Sequence, residues 1–320
     1  MKLLSRLALA ALLALPLAAQ AQGYPNKPIK MIIPLAAGSA VDNAARVVTQ
    51  KMGETLGQGF AVENIAGAAG VTGAERLARS APDGYTIGGF NDSVLTMVPH
   101  LVPKMPWNAL TDFVPVSLVG TIEWGLVVKA ESPYRTLADF LAAAKAAPGK
   151  LNYGSGGVGS SQHLAGAMFK ARTGVDILHI PYKGSGPAVI AMLGNEVSFM
   201  FDSISTSFPQ VKAGKLKAVA VSSLERASIL PNTPTIAETL PGFDVTVWYG
   251  ILAPAGTSDA VIGKLSQAFA EVGADPKIRS QLAESGYAMV GSTPAAFGKH
   301  IEAELTKWSK AVKDSGATIQ

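Results

Sequence analysis

The chain has 320 residues, a formal net charge of +4 and no cysteine. The lack of cysteine excludes disulfides, thiol catalysis and thiolate metal sites, and basic residues scattered along the chain argue against a nucleic-acid partner. The four histidines, His100, His163, His179 and His300, lack metal-ligand spacing, so neither metal nor cofactor is expected.

The first residues, MKLLSRLALAALLALPLAAQAQ, carry Lys2 and Arg6, an apolar run from Leu7 to Ala19, and the small-x-small pattern Ala19-Gln20-Ala21. This predicts a cleavable signal peptide over 1–21, its apolar core shorter than the roughly 20 residues of a membrane span. The remaining chain, about 300 residues, exceeds the usual ceiling for one core, so two lobes are expected.

IKMIIPL reads as a short buried strand, and the helix after Ser39 has apolar positions at Val41, Ala44, Ala45, Val48, Met52 and Leu56. FAVEN, a glycine turn with GAERLARS, and DGYTIGGF continue as strand, helix and strand, so repeated βα units predict a largely parallel sheet flanked by helices. FVPVSLVGTIEWGLVVKA, from Phe113 to Ala130, reads as a strand crossing into a second lobe. There a second series follows, with strands KLNYGS, DILHIPY, EVSFMFDS and KAVAVSS and helices over 136–146, 160–171 and 187–194. DVTVWYGILAPAGT is a second crossover strand, after which the pattern turns helical and ends in a helix capped by Thr293 and Pro294. The fold expected is therefore α/β with two lobes: lobe I from 22–122 and 240–320, lobe II from 123–239, hinged at two crossover strands and closing on a ligand in the cleft.

Two stretches stand out. PLAAGSAVD and NYGSGGVGSSQHL each run from a strand through small residues into a helix beginning at a serine, Ser39 with Asp42 three residues on and Ser160 with His163 three residues on. Such loops lie at the carboxyl ends of strands, where open α/β sheets bind ligands, and a helix N-terminus offers free N–H groups to an anion. Facing each other across a cleft, the two loops suit a carboxylate. Gly154, Gly156 and Gly159 match the dinucleotide spacing, but the next strand, ILHIPYKG, ends in Lys183 and not in the acid that would hold a ribose. A secreted serine hydrolase acting on esters is the alternative function, although neither Ser155 nor Ser160 stands in G-x-S-x-G. Asn91, Asp92 and Ser93 end a lobe I strand, Asp202 and Ser203 end a lobe II strand, and Lys183 precedes a helix, so all are candidate contacts. Trp124, Trp248 and Tyr249 on the crossovers are candidates for an aromatic wall or for hinge packing.

YPNKPIKMIIP with Gly38, Asp42 and Arg46, VEN, PDGYT, DFVPV, PGKLNYGSGGVGSSQHL, HIPYKGSGPA, LPNTPTIAET and APAGT occur in this order along the chain. By these segments the sequence resembles the Bug-type periplasmic solute-binding receptors of tripartite tricarboxylate transporters, over essentially its whole length beyond the leader. The resemblance implies a periplasmic-binding-protein (Venus flytrap, type II) fold. The function it implies is that of a periplasmic receptor, not an enzyme, which captures a small organic mono- or dicarboxylate, aromatic acids included, for the large and small membrane subunits of the transporter. The binding loops it implies are Leu35, Ala36, Ala37, Gly38 and Ser39 in the first lobe, and Ser155, Gly156, Gly157, Gly159 and Ser160 with His163 in the second. The first loop departs from the family's usual proline and paired glycines, and Asn64-Ile65-Ala66-Gly67 replaces its usual Asn-Arg-Pro-Gly. Asp42, Asn91, Asp92, Ser93, Lys183, Asp202, Ser203 and Trp248 complete the expected ligand shell of a monomeric protein.

Overall fold

The structure is a computed structural model that describes residues 23–317 with the exception of 228 and 285; the leader expected over 1–21 lies outside the described residues. Two sheets organise the chain. The first contains β1 (Ile29–Ile33), β2 (Phe60–Asn64), β3 (Thr86–Asn91), β4 (Phe113–Ile122), β10 (Val247–Pro254) and β11 (Tyr287–Met289), in the order β11-β4-β10-β3-β1-β2. The second contains β5 (Trp124–Lys129), β6 (Leu151–Ser155), β7 (Ile177–Pro181), β8 (Phe199–Ser203) and β9 (Leu216–Val221), in the order β7-β6-β8-β5-β9.

Both sheets are mixed where the sequence pattern suggested largely parallel ones. β1 pairs in parallel with β2 and β3, and β6 with β7 and β8, as βα units require. β10 runs antiparallel to both β3 and β4, and β5 antiparallel to both β8 and β9, because these strands arrive from the other lobe with no crossover helix to reverse them. The chain crosses at Glu123, between β4 and β5, and returns through the segment between β9 and β10. Backbone bonds from Ser222 N to Trp124 O and from Val245 N to Ser222 O, both 2.9 Å, tie the two crossings together.

The helices follow from spacing and caps. α1 (Ala40–Leu56) buries Val41, Ala44, Ala45, Val48 and Met52 on one face and stops at Gly57, whose φ of +67° few other residues accept. α4 (Ser161–Thr173) starts at its cap Ser160 and ends the same way at Gly174. α2 (Val71–Ala78), α3 (Leu137–Ala146), α5 (Ser185–Leu193), α7 (Asp259–Ala274) and α8 (Pro276–Ala283) cover the sheets. α9 (Pro294–Ser315), capped by Thr293, packs on β4 and also against α4 of the second lobe. Two elements went unread in the sequence. α6 (Ile204–Lys212) carries Pro209 in its interior, where helix formation is intrinsically poor, and β11 is a three-residue edge strand inside a region that reads as helical.

Candidate binding site

A cavity of about 470 Å³ lies between the carboxyl ends of the two sets of strands. Both loops singled out in the sequence reach it: Pro34, Leu35, Ala36 and Ser39 from one side, and Gly156, Gly157, Val158 and Ser160 from the other. Asn91, Ser93, Lys183 and Ser203 line it as well. Ala37, Gly38, Asp42, Asp92, Ser155, Gly159, His163, Asp202 and Trp248 are not among its lining residues. Most of these hold the walls in shape.

In the first lobe, Ser39 caps α1 by accepting the Asp42 N–H at 3.3 Å. The Asp42 carboxylate turns back to accept the Gly38 N–H at 2.9 Å and the Asn64 amide at 3.0 Å, and pairs with Arg46 at 3.0 Å. Burial pushes its pKa up, but the hydrogen bonds from Arg46, Gly38 and Asn64 outweigh burial and hold the group below the ordinary carboxylate value. Asp42 is therefore a buried anion beneath the loop. Gly38 takes φ +77°, a left-handed conformation that shapes the turn.

The second loop repeats this construction with neutral parts. Ser160 caps α4 by accepting the His163 N–H at 3.2 Å, and the Gly159 N–H donates to His163 Nδ1 at 3.2 Å. The His163 ring stacks on His179 with centroids 4.1 Å apart, and burial lowers both pKa values, that of His179 to about 4 with help from the His163 charge. Ser155 Oγ lies 2.5 Å from His179 Nε2 and also accepts the Gly157 N–H, with the serine fully buried under the loop. Gln162 is the residue that the sequence reading missed. Its Oε1 accepts the Gly156 N–H at 2.6 Å, while its Nε2 donates to Ser185 Oγ at 2.9 Å and to Asp202 Oδ1 at 2.8 Å. A Cβ on Gly156 would stand 2.7 Å from that Oε1 and 3.3 Å from the Gly184 and Ser185 backbone, so the Gln162 amide would have to shift to admit one.

In both helices the serine cap takes one first-turn N–H and leaves earlier ones without an intrahelical partner. The residues that carry these free groups, Ala40 and Val41 in α1 and Ser161 and Gln162 in α4, all line the cavity.

The strand-end residues divide between wall and clasp. Ser93 Oγ donates to Gly159 O at 2.7 Å, Asn91 Nδ2 to Ser161 Oγ at 3.4 Å, and Ser161 Oγ to Asp92 Oδ1 at 3.0 Å, so 91–93 clasp the second lobe. Asp92 is fully buried, and burial, with the Glu304 charge adding to it, raises its pKa to about 8. Burial likewise raises Asp202 to about 6, against hydrogen bonds from Ser207 and Gln162. Trp248 faces the first-lobe core, packed edge-on to Phe297 with its Nε1–H given to Glu304, and so is no part of the wall. Trp124 lines the cavity beside Ile122 and Val247.

Ala66, Gly67, Ala69 and Gly70 also line the cavity; the sequence marks Ala66 and Gly67 only as a departure from the family pattern and does not mark Ala69 and Gly70. Ala68 and Ala69 adopt φ of +46° and +55°, between Gly67 at +137° and Gly70 at +92°. Left-handed alanines are costly, and such strain gathers where a loop must present a particular wall. A Cβ on Gly70 would stand 2.5 Å from Val94 Cγ2. The run GAAG between a strand and a helix is the local sign of that loop.

Comparison with known proteins gives a consistent picture. Residues 44–317 match the family described as "Tripartite tricarboxylate transporter family receptor". BugT of Bordetella pertussis is 35% identical over 302 residues, which span 94% of this chain and 93% of that protein. The R. palustris protein Rpa4515, solved with adipate, is 30% identical and superimposes with a TM-score of 0.89 over 92% of this chain and all of that one. MatC of Rhodopseudomonas palustris, solved with bound malate, is also 30% identical, with a TM-score of 0.85 over 90% of this chain and all of that one.

Proposed function

Because the chain belongs to the tripartite tricarboxylate transporter receptor family, we propose that it captures a small organic carboxylate in the cleft and delivers it to the membrane subunits of such a transporter. It does so in the periplasm, after cleavage of the leader. The observation that carries this reading is the convergence of two helix first turns, at Ala40–Val41 and Ser161–Gln162, on one cavity in which Lys183 is the single charged side chain among the described lining residues. A helix end contributes about 0.3–1 kcal/mol to a bound anion, up to ~2 when partly buried. Each charge-assisted hydrogen bond adds about 1.5–3 kcal/mol. Several together reach the roughly −8 kcal/mol of micromolar binding after ordering costs. The adipate and malate of the two structural relatives support the same class of ligand.

Isothermal titration calorimetry against adipate, malate and a panel of aliphatic and aromatic acids tests the proposal: micromolar binding of at least one acid is expected, and none binding overturns it. One contact favours a hydrolase instead, that of Ser155 Oγ with His179 Nε2. Ser155 is fully buried and does not line the cavity, and the cavity-facing Ser160 gives its proton to Gly157 O, so the receptor reading accounts for both serines as loop supports. Ester turnover that disappears in Ser155→Ala would reverse that preference.

A further inference from the structure

Three aspartates are buried among the described residues: Asp42, Asp92 and Asp202. Two of them take their side-chain support from their own lobe. Asp42 is held by Gly38, Asn64 and Arg46 in the first lobe, and Asp202 by Ser207 and Gln162 in the second. Asp92 differs, because its side-chain donor comes from across the cleft: Ser161 Oγ, on the first turn of α4, donates to its Oδ1 at 3.0 Å. Its Oδ2 is buried and has no hydrogen-bond partner among the described residues. A buried carboxylate short of donors is costly, and the neutral acid, with its proton on that oxygen, is the cheaper form.

The charges around Asp92 do not offset this. α9 brings Glu304, whose charge opposes ionisation of Asp92, and Lys307, which is shared with Asp244 at 3.2 Å and Glu304 at 3.4 Å. His300, one turn before Glu304, packs edge-on against Trp248. From α4 come the uncharged Ser161 and Gln162, then His163, whose Nδ1 is taken by the Gly159 N–H. β10 brings Tyr249, opposite Asn91, with its hydroxyl turned to Met31 Sδ at 3.6 Å. Burial first, and Glu304 after it, thus raise the Asp92 pKa to about 8 in the clasped arrangement. When the lobes part, the first turn of α4 leaves with Ser161, water reaches the carboxyl group, and the ordinary aspartate value of about 3.9 returns.

We propose that Asp92 couples closure of the cleft to the uptake of one proton from solvent, so that the ligand is captured together with a proton and released as that proton leaves. The proposal rests on the carboxylate reading above and adds a regulation to the same site. Between roughly pH 4 and 8 the closed form carries the proton and the open form does not, so closure weakens as pH rises through that window and levels off above it. Asp202 adds nothing to this dependence, because its partners stay with it when the cleft opens. His163 and His179, both lowered by burial, are mostly neutral at pH 6.5 and above.

Calorimetry from pH 6.5 to 8 at constant ionic strength, with adipate, malate or whichever acid of the panel binds, tests the coupling in a range where the ligand's own carboxyl groups stay ionised. Native affinity is expected to fall about tenfold or more across the range, and heats in buffers of different ionisation enthalpy should show close to one proton taken up per ligand at pH 6.5. In Asp92→Asn, whose amide keeps the shape of the neutral acid, affinity should vary by no more than about twofold, with no proton uptake. A native affinity indifferent to pH, or a slope that survives in Asp92→Asn, overturns the proposal. Should Asp92→Asn not fold, the assigned ¹³C carboxyl signal of Asp92 in the native complex decides: it must titrate near pH 8, and titration near the ordinary aspartate value overturns the proposal. If no acid binds at all, the carboxylate reading fails on its own, and the coupling is read in the ligand-free protein. Spin labels at Gln50→Cys and Ile190→Cys, exposed positions on α1 and α5 in a chain with no other cysteine, report the distance between the lobes. The short-distance fraction must then fall from pH 6.5 to 8 with Asp92 present and hold steady with Asp92→Asn; a distribution that ignores pH overturns the coupling.

Discussion

The two cavity loops are built to one plan and charged differently. In each, a serine caps a helix through the N–H three residues on, and that third residue's side chain returns to take the N–H of the glycine before the cap. In the first lobe the returning group is the Asp42 carboxylate, and in the second it is the neutral His163 ring. The capping turn of the first lobe therefore holds an ionised carboxylate, partly offset by Arg46, whereas the carboxyl groups nearest the second helix end, Asp92 and Asp202, sit on Ser161 and Gln162 and are raised in pKa by burial. The loops differ again one residue earlier, where apolar Val41 stands in α1 and Gln162 stands in α4.

The largest expected effect tests that last difference. Gln162→Ala removes the acceptor of the Gly156 N–H and the amide donor to Asp202 at once, so a loss of about 1–3 kcal/mol is expected in a denaturant titration, with carboxylate binding strongly reduced. A melt unchanged from native would show that the loop does not depend on Gln162. Next, His163→Asp gives the second loop the charge of the first, and carboxylate affinity in calorimetry should fall about tenfold, or roughly 1.4 kcal/mol. Affinity equal to native would mean the two helix ends are electrostatically equivalent. The caps come third. Ser39→Ala should cost about 1 kcal/mol in thermal unfolding, and Ser160→Ala more, because the Ser160 hydroxyl also donates to Gly157 O at 2.7 Å. Equal losses would show that this second bond adds nothing.

The smallest effect is one of pH. His163 and His179 have folded pKa values below their ordinary value, that of His179 at about 4. Between roughly pH 6.5 and 4 the unfolded chain then binds more protons, so their support of the second loop is lost as pH falls through that window. Asp42 is depressed below the ordinary carboxylate value, so its support is lost only at lower pH. Asp92 and Asp202, raised to about 8 and about 6, act in the opposite sense, their contribution falling as pH rises from about 4. Global melting mixes these signs. Amide exchange separates them: as pH drops from 6.5 to 4, protection at Gly159 should decline while that at Gly38 holds. Equal decline at both glycines would refute the assignment.

What could be read from the sequence was what is local. The caps Ser39 and Ser160 sit within three residues of their partners, and the alternation of short apolar strands with amphipathic helices marks the βα units. What could not be read depends on partners far along the chain. Asp42 lies outside the cavity lining and braces its loop because Asn64, 22 residues away, turns toward it, and Asp202 is likewise engaged by Gln162 from 40 residues away. Trp124 and Trp248 both sit in apolar strands and are indistinguishable as sequence. One follows the hinge and lines the cavity; the other lies in a central strand beneath α9 and faces Phe297. Antiparallel insertion of β5 and β10 is likewise a property of the crossings, which no single segment encodes.

The last helix carries a consequence of its own. α9 is rooted on β4 in one lobe and rests against α4 in the other, the same helix whose first turn faces the cavity. A rotation of one lobe on the other cannot leave that seam as it is. The angle between the lobes is therefore written twice, once at the mouth of the cleft and once on the outer face near the chain's end, so a neighbour that never touches the cleft could read its state from the back of the molecule.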